Sequence, residues 1–144
     1  MPDEPISDDL LDEHRRIREL LTNSWSAFFA RFGALRPVQR AAIPTIVSGR
    51  DVLVTAPTAG GKTEAVVAPL CERLVREQWK GLSILLVTPT RALVNDLFER
   101  LERPVDQMGI SLGRKTADYA VSAGHTEQFI ITTPESLESL LTFG

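Results

Sequence analysis

Residues 56–64 read Ala-Pro-Thr-Ala-Gly-Gly-Lys-Thr-Glu. Paired glycines followed by a lysine and a hydroxyl are chemistry suited to phosphate. Gly60 and Gly61 carry no side chain, so backbone N–H groups can turn toward phosphate oxygens. Lys62 adds a positive charge that reaches β- and γ-phosphates, and the Thr63 hydroxyl is a ligand for Mg²⁺. The spacing is that of G-x-x-x-x-G-K-[ST], with Ala56 at the first, usually glycine, position. Such a loop needs a strand before it and a helix after it. The apolar run Val52-Leu53-Val54 predicts a strand over Asp51–Thr55. The composition of Thr63–Gln78 predicts a helix whose positive end faces the phosphates. The plain alternative is a tight Gly-Gly connection with a chance Lys-Thr; the strand–loop–helix setting argues against it.

Upstream lies Phe32-Gly33-Ala34-Leu35-Arg36-Pro37-Val38-Gln39. The Gln39 amide presents donors and an acceptor in one plane, which matches the N6 and N7 edge of adenine. A lone glutamine on a helix is ordinarily solvated; one helix and one strand would fold this one back beside the loop. Downstream, Thr88-Pro89-Thr90-Arg91 and Thr132-Thr133-Pro134-Glu135 each follow an apolar run. Both place hydroxyls and a helix start at the carboxyl end of a parallel strand, where open α/β sheets bind ligands. Free N–H groups there suit phosphodiester oxygens, and Arg91 adds a forked cation. Each Thr-Pro segment taken alone is equally a simple helix cap.

The elements that position these residues alternate. A loose tail over 1–7 precedes a helix from Ser7 or Asp8 to about Leu21 and a second from Asn23 or Ser24 to Phe32. The aromatic residues of that second helix read as core. Pro37 opens a helix to about Ser48, and Gly49 stops it. Strands are predicted at Asp51–Thr55, Leu82–Thr88, Ile110–Leu112 and Phe129–Thr132. Helices are predicted at Thr63–Gln78, Thr90–Glu102 and Pro134–Leu141. Residues 114–128 read as a loop or short helix. Strands alternating with helices define an α/β fold, a parallel sheet with helices on both faces, preceded by N-terminal helices.

The 144-residue chain suits one domain, and its net charge of −3 supplies no general argument for nucleic acid. Acidic residues gather at the start, from Asp3 to Glu19, so a local basic face elsewhere is compatible with that balance. Cys71 is the single cysteine; it forms no internal disulfide, fits a reducing compartment and is expected in the core. No apolar run approaches a membrane span, and a cytoplasmic protein without membrane contact is expected.

Four segments in this order and spacing resemble the first motor domain of superfamily 2 nucleic-acid helicases. Phe32–Gln39 resembles the family's Q motif, Ala56–Thr63 its motif I, Pro89–Leu93 its motif Ia and Thr133–Leu137 its motif Ib. The DEAD-box form has proline four residues before the glutamine, where this chain has Leu35. The Arg-Pro-x-Gln spelling is closer to large-helicase-related proteins within the DEAD/DEAH-like group. The resemblance covers about residues 25–141 and implies a P-loop NTPase fold. The expected division is an acidic tail and helix over 1–24 and a partial RecA-like domain over 25–144.

What the resemblance implies for the site is specific. Phe32, Gln39, Thr58, Ala59, Gly60, Gly61, Lys62, Thr63 and Glu64 would hold ATP, with Gln39 on the adenine. Lys62 and Thr63 would be the catalytic residues, and Thr63 would bind Mg²⁺. Pro89, Thr90, Arg91, Thr133, Pro134 and Glu135 would meet the backbone of DNA or RNA without reading its sequence. The family's motif II, an Asp-Glu pair, does not follow the loop; the two such pairs are Asp3-Glu4 and Asp12-Glu13. The arginine-bearing second RecA-like domain is also expected elsewhere, in the same or another chain. The expectation is an incomplete RecA-like domain that binds ATP with negligible turnover alone and leaves a sheet edge unpaired. The function implied is the ATP-binding portion of a helicase or translocase. The alternative is a non-catalytic nucleotide- or nucleic-acid-binding module. A small P-loop kinase would leave Gln39 and both Thr-Pro segments without a role.

Overall fold

The computed structural model describes residues 7–31, 34–58, 61–120 and 126–142. The predicted tail over 1–6 lies outside these residues. The chain divides into two compact units, 1–76 and 77–144.

The first unit opens with helix α1, Asp8–Leu20. Its N-cap is Ser7, whose Oγ accepts the Leu10 N–H at 3.3 Å. Asp8 and Asp9 at the start and Arg18 at the end match the helix dipole. Helix α2 covers only Trp25–Phe28, one turn, where the sequence predicts a run to Phe32. Its start at Ser24 has no side-chain cap, because the Ser24 N–H and hydroxyl both go to Glu72. Helix α3, Pro37–Val47, has Pro37 in its first turn and stops before Gly49 at φ +87°.

Helix α4, Lys62–Arg76, packs on α3 and α2. Ala65 on α4 meets Ala42 and Ile46 of α3, with Val38, Val54, Val66 and Leu70 around them. Glu72 of α4 is fully buried and joins α4 to the turn after α1. Its carboxylate accepts the Asn23 N–H at 2.7 Å, the Ser24 N–H at 3.1 Å and the Asn23 side-chain amide. Arg76 completes the arrangement, 3.7 Å from Glu72 and donating to the Leu20 carbonyl. Cys71 is buried as expected, and burial pushes its thiol up to about 12.

The predicted strand Asp51–Thr55 is not a strand in the structure. It has no ladder partner among the described residues, and Leu53 is 91% exposed. Only Val54 turns into the α3–α4 core. Apolar content alone does not make a strand; the backbone groups need a neighbour to bond.

The second unit is built on a parallel sheet of order β1-β3-β2. The strands are β1, Ile84–Val87, β2, Leu112–Lys115, and β3, Phe129–Thr132. β3 is central: Ile131 faces Leu86 on one side and Arg114 on the other. Helix α5, Arg91–Gln107, packs on β2 and β3. It runs past the predicted end at Glu102 and takes Pro104 into its interior. Leu101, Pro104 and Val105 form one buried stripe, and that packing outweighs the lost hydrogen bond. Gly109, at φ +73°, and Ile110 close α5: their N–H groups reach the Asp106 and Val105 carbonyls at 2.9 and 3.2 Å. Ile110 therefore belongs to the cap, and the predicted strand at Ile110–Leu112 begins instead at Leu112. Helix α6 is Pro134–Thr142. Among the described residues no helix is long and apolar enough to cross a membrane.

Candidate functional site

In the first unit, two of the predicted residues, Gln39 and Gly61, come together. Gln39 occupies the third position of α3 and is 6% exposed. Its Oε1 accepts the Arg36 N–H at 2.9 Å, which caps the helix, and its Nε2 donates to the Gly61 carbonyl at 3.3 Å. One amide proton and one oxygen lone pair are left over, a donor and an acceptor on the same plane. Gly61 has φ +82°, and a Cβ there would stand 2.5 Å from Gln39 Nε2 and 2.9 Å from Arg36 Cδ. Both the backbone conformation and the close approach of Gln39 therefore require glycine.

Lys62 is the first residue of α4, and its Nζ donates to the Ala56 carbonyl at 2.9 Å. The ammonium thus spans the loop from its last turn to its first residue. Thr63 is half-buried, and its hydroxyl makes no hydrogen bond among the described residues. Glu64 lies in the first turn of α4, and Thr58 is exposed. Phe32, Ala59 and Gly60 lie outside the described residues. A glycine that admits no side chain, a loop-spanning ammonium, a hydroxyl that makes no hydrogen bond among the described residues and a helix start fit a magnesium-bound triphosphate.

In the second unit, α5 and α6 start at the carboxyl ends of the paired strands β1 and β3. Thr90 caps α5: its Oγ1 accepts the Leu93 N–H at 3.2 Å, which leaves the hydroxyl proton to donate outward. Pro89 and Arg91 are exposed beside it. Thr133 also acts as a cap, accepting the Ser136 N–H at 3.4 Å, but it is only 3% exposed. The exposed residues of that turn are Pro134 and Glu135. The Glu135 carboxylate favours the α6 dipole and is unsuited to phosphate; a sugar hydroxyl is the group it could accept from.

Arg91 does not stand alone. Its Nη1 lies 3.2 Å from an Asp118 carboxylate oxygen. Next to Asp118, Tyr119 lies over the Arg114 guanidinium, 3.7 Å from Cζ to ring centroid. Phe98 of α5 approaches the same guanidinium at 4.4 Å, and Asn95 accepts from Arg114 at 3.2 Å. Sequence reasoning placed Arg114 at the start of a polar loop or short helix, where the structure has strand β2, and passed over Asn95, Phe98, Asp118 and Tyr119. A basic residue with aromatic neighbours was the available signal, but the partners are far apart in the chain.

The comparisons with known proteins accord with this geometry. Residues 36–143 match the DEAD/DEAH box helicase family. The ATP-dependent RNA helicase DBP4 of Chaetomium globosum is 43% identical over 77 residues, 51% of this chain and 9% of that protein. The ATP-dependent RNA helicase DBP3 of Phaeosphaeria nodorum is 33% identical over 129 residues, 84% of this chain and 22% of that protein. The crystal structure of the RNA helicase Prp28 from Chaetomium thermophilum bound to ADP covers 99% of this chain at TM-score 0.68 and 23% identity. A hypothetical ATP-dependent RNA helicase from Sulfolobus tokodaii covers 86% at TM-score 0.66. This chain spans 35% and 36% of those two structures, which share its helicase-domain α/β fold. The glycine loop, the glutamine tied to it and the two capped helix starts lie within the matched stretch, and the chain belongs to the DEAD/DEAH box helicase family.

Proposed function

We propose that this chain is the ATP-binding portion of an ATP-dependent helicase that moves on RNA. The observation that carries the reading is the Gln39 bridge. One amide caps α3 and bonds the Gly61 carbonyl, so a base at its remaining donor and acceptor is coupled to the loop that would hold the phosphates. The names of the relatives supply RNA as the nucleic acid. The Arg-Pro-x-Gln spelling keeps a large-helicase-related subtype as the second choice, and DNA is the second choice of nucleic acid.

The chain's own residues would act by binding and orientation. Gly61 leaves room for the Gln39 amide, and Lys62 would leave the Ala56 carbonyl for the β- and γ-phosphates. Thr63 offers its hydroxyl to Mg²⁺, which when bound neutralises phosphate charge. Thr90 and Arg91, with the helix starts at 90–91 and 133–135, would hold a strand by its backbone. Hydrolysis further calls for a water-orienting carboxylate and an arginine worth roughly 10³–10⁵ in rate. These we assign to further polypeptide, together with a second RecA-like domain. The division into 1–24 and a partial RecA-like 25–144, and a cytoplasmic site of action inferred from the lone buried thiol, belong to the same proposal.

The test is titration of the 144-residue chain with a fluorescent ATP analogue and Mg²⁺. Lys62→Ala should abolish binding, and Lys80→Ala, an exposed lysine outside the loop, should leave it unchanged. Equal binding by both variants would remove the assignment.

A further inference from the structure

We infer that Tyr119 is a base-stacking platform for single-stranded RNA, beside the Arg91 end of α5. The inference rests on the nucleic-acid reading above and adds a contact to the base where that reading has contacts to the backbone alone. The observations concern one turn. Thr116 and Tyr119 exchange backbone hydrogen bonds at 3.0 and 3.3 Å, and the Asp118 N–H donates to the Thr116 hydroxyl at 3.2 Å. Thr116 is 2% exposed, so the turn is anchored in the unit.

The ring that this turn presents is fixed from behind. Arg114 meets Tyr119 at 3.7 Å and Phe98 at 4.4 Å, and Asn95 holds its Nη1. A guanidinium packed on two rings and hydrogen-bonded to an amide is restrained in both position and tilt. Tyr119 is nevertheless 41% exposed. Arg114 packs on one face, and the platform is the other. A rigid aromatic face pays little ordering entropy when a base stacks on it, and every base has such a face.

Placement selects the ligand. Asp118, adjacent to Tyr119 in sequence, touches Arg91 at 3.2 Å. The turn that carries the ring therefore lies beside the first residue of α5, where Arg91 and the Thr90 hydroxyl would engage phosphate. Cation and aromatic face side by side match one nucleotide of an unpaired strand. A double helix hides its base faces and offers only the first contact.

The experiment uses the 144-residue chain and two fluorescein-labelled probes in low salt. One is a twelve-nucleotide uridine strand; the other is the same ribose-phosphate backbone without bases. Tyr119→Leu should weaken the uridine strand about tenfold and leave the abasic strand unchanged, as expected for one lost stack. Tyr119→Trp should restore the uridine affinity. Arg91→Gln should weaken both probes alike. A uridine strand carrying 5-iodouracil should photocrosslink to Tyr119 in the wild-type chain. Tyr119→Leu acting equally on both probes, or on neither, overturns the platform, as does Tyr119→Trp behaving like Tyr119→Leu. If neither probe binds the wild type, the nucleic-acid reading itself falls.

Discussion

Val52-Leu53-Val54-Thr55 and Phe129-Ile130-Ile131-Thr132 are nearly the same chemistry: three apolar residues, mostly β-branched, then threonine. Each precedes a turn into a helix that bears a candidate binding residue. Their structures are opposite. Residues 129–132 form β3, bonded on both sides, with all four side chains at 0% exposure. Residues 51–55 bond to no strand among the described residues, and Leu53 is 91% exposed. Strand propensity reports fitness for a pleated, half-buried surface, and a partner has to provide that surface. The first segment keeps its place through Val54 and the helices around it.

The largest difference should appear at the middle of each run. Ile131→Ala removes a fully buried side chain from the central strand and should cost about 4 kcal/mol in urea unfolding. Leu53→Ala should change the midpoint by less than about 0.5 kcal/mol. Equal costs would mean that the two segments share one environment in solution.

If the loop segment depends on the helices, then the fastening of α4 matters more than the segment's own side chains. Glu72→Ala leaves the buried Ser24 N–H and the part-buried Asn23 N–H without their acceptor and Arg76 without its carboxylate. A loss of about 3 kcal/mol is expected. Glu72→Gln should recover part of it, since the amide oxygen still accepts. A cost near zero for Glu72→Ala would show that the helices hold the turn by apolar packing alone.

What was legible in the sequence divides along the same line. β3 was readable to the residue because a continuous apolar run between polar stretches is buried on both faces. The helix starts at Ser7, Pro37 and Pro134 were readable because capping chemistry is local. Asp51–Thr55 was misread because a ladder belongs to two segments, and only one was in view. The extension of α5 past Pro104 was missed because the stripe Leu101, Pro104 and Val105 overrides a local rule by packing. At the site, Gly61 and Lys62 were visible in the motif. The cap that Gln39 makes on α3 and the stack of Tyr119 on Arg114 depend on contacts that spacing does not encode.

Gly61 sharpens the comparison at the turn itself. Replacement by alanine forces φ +82° on a side chain and brings Cβ within 2.5 Å of Gln39 Nε2. The backbone strain is about 1–2 kcal/mol, and the Gln39 bridge must break. Stability should fall by that amount, and the fluorescent nucleotide should bind at least tenfold more weakly. Gly81 provides the control: it has φ +68° but nothing within 4 Å of an added Cβ. Gly81→Ala should show the strain and leave nucleotide binding unchanged. If both variants lose binding equally, the close approach of Gln39 is not what the loop requires.

The smallest effect tests the exposed segment most directly. Leu53→Lys puts a charge where the structure shows 91% exposure, so unfolding of the dilute chain should shift by less than about 0.5 kcal/mol. An unpaired apolar run is also a template for another strand, and a charge in it discourages pairing. Wild type should therefore self-associate more than Leu53→Lys as concentration rises, by sedimentation, while the two unfold alike when dilute. A loss above about 1.5 kcal/mol in the dilute variant would mean that Leu53 is covered in solution. The contrast with β3 would then be one of partner identity, with 51–55 laddered to a segment that the described residues do not include.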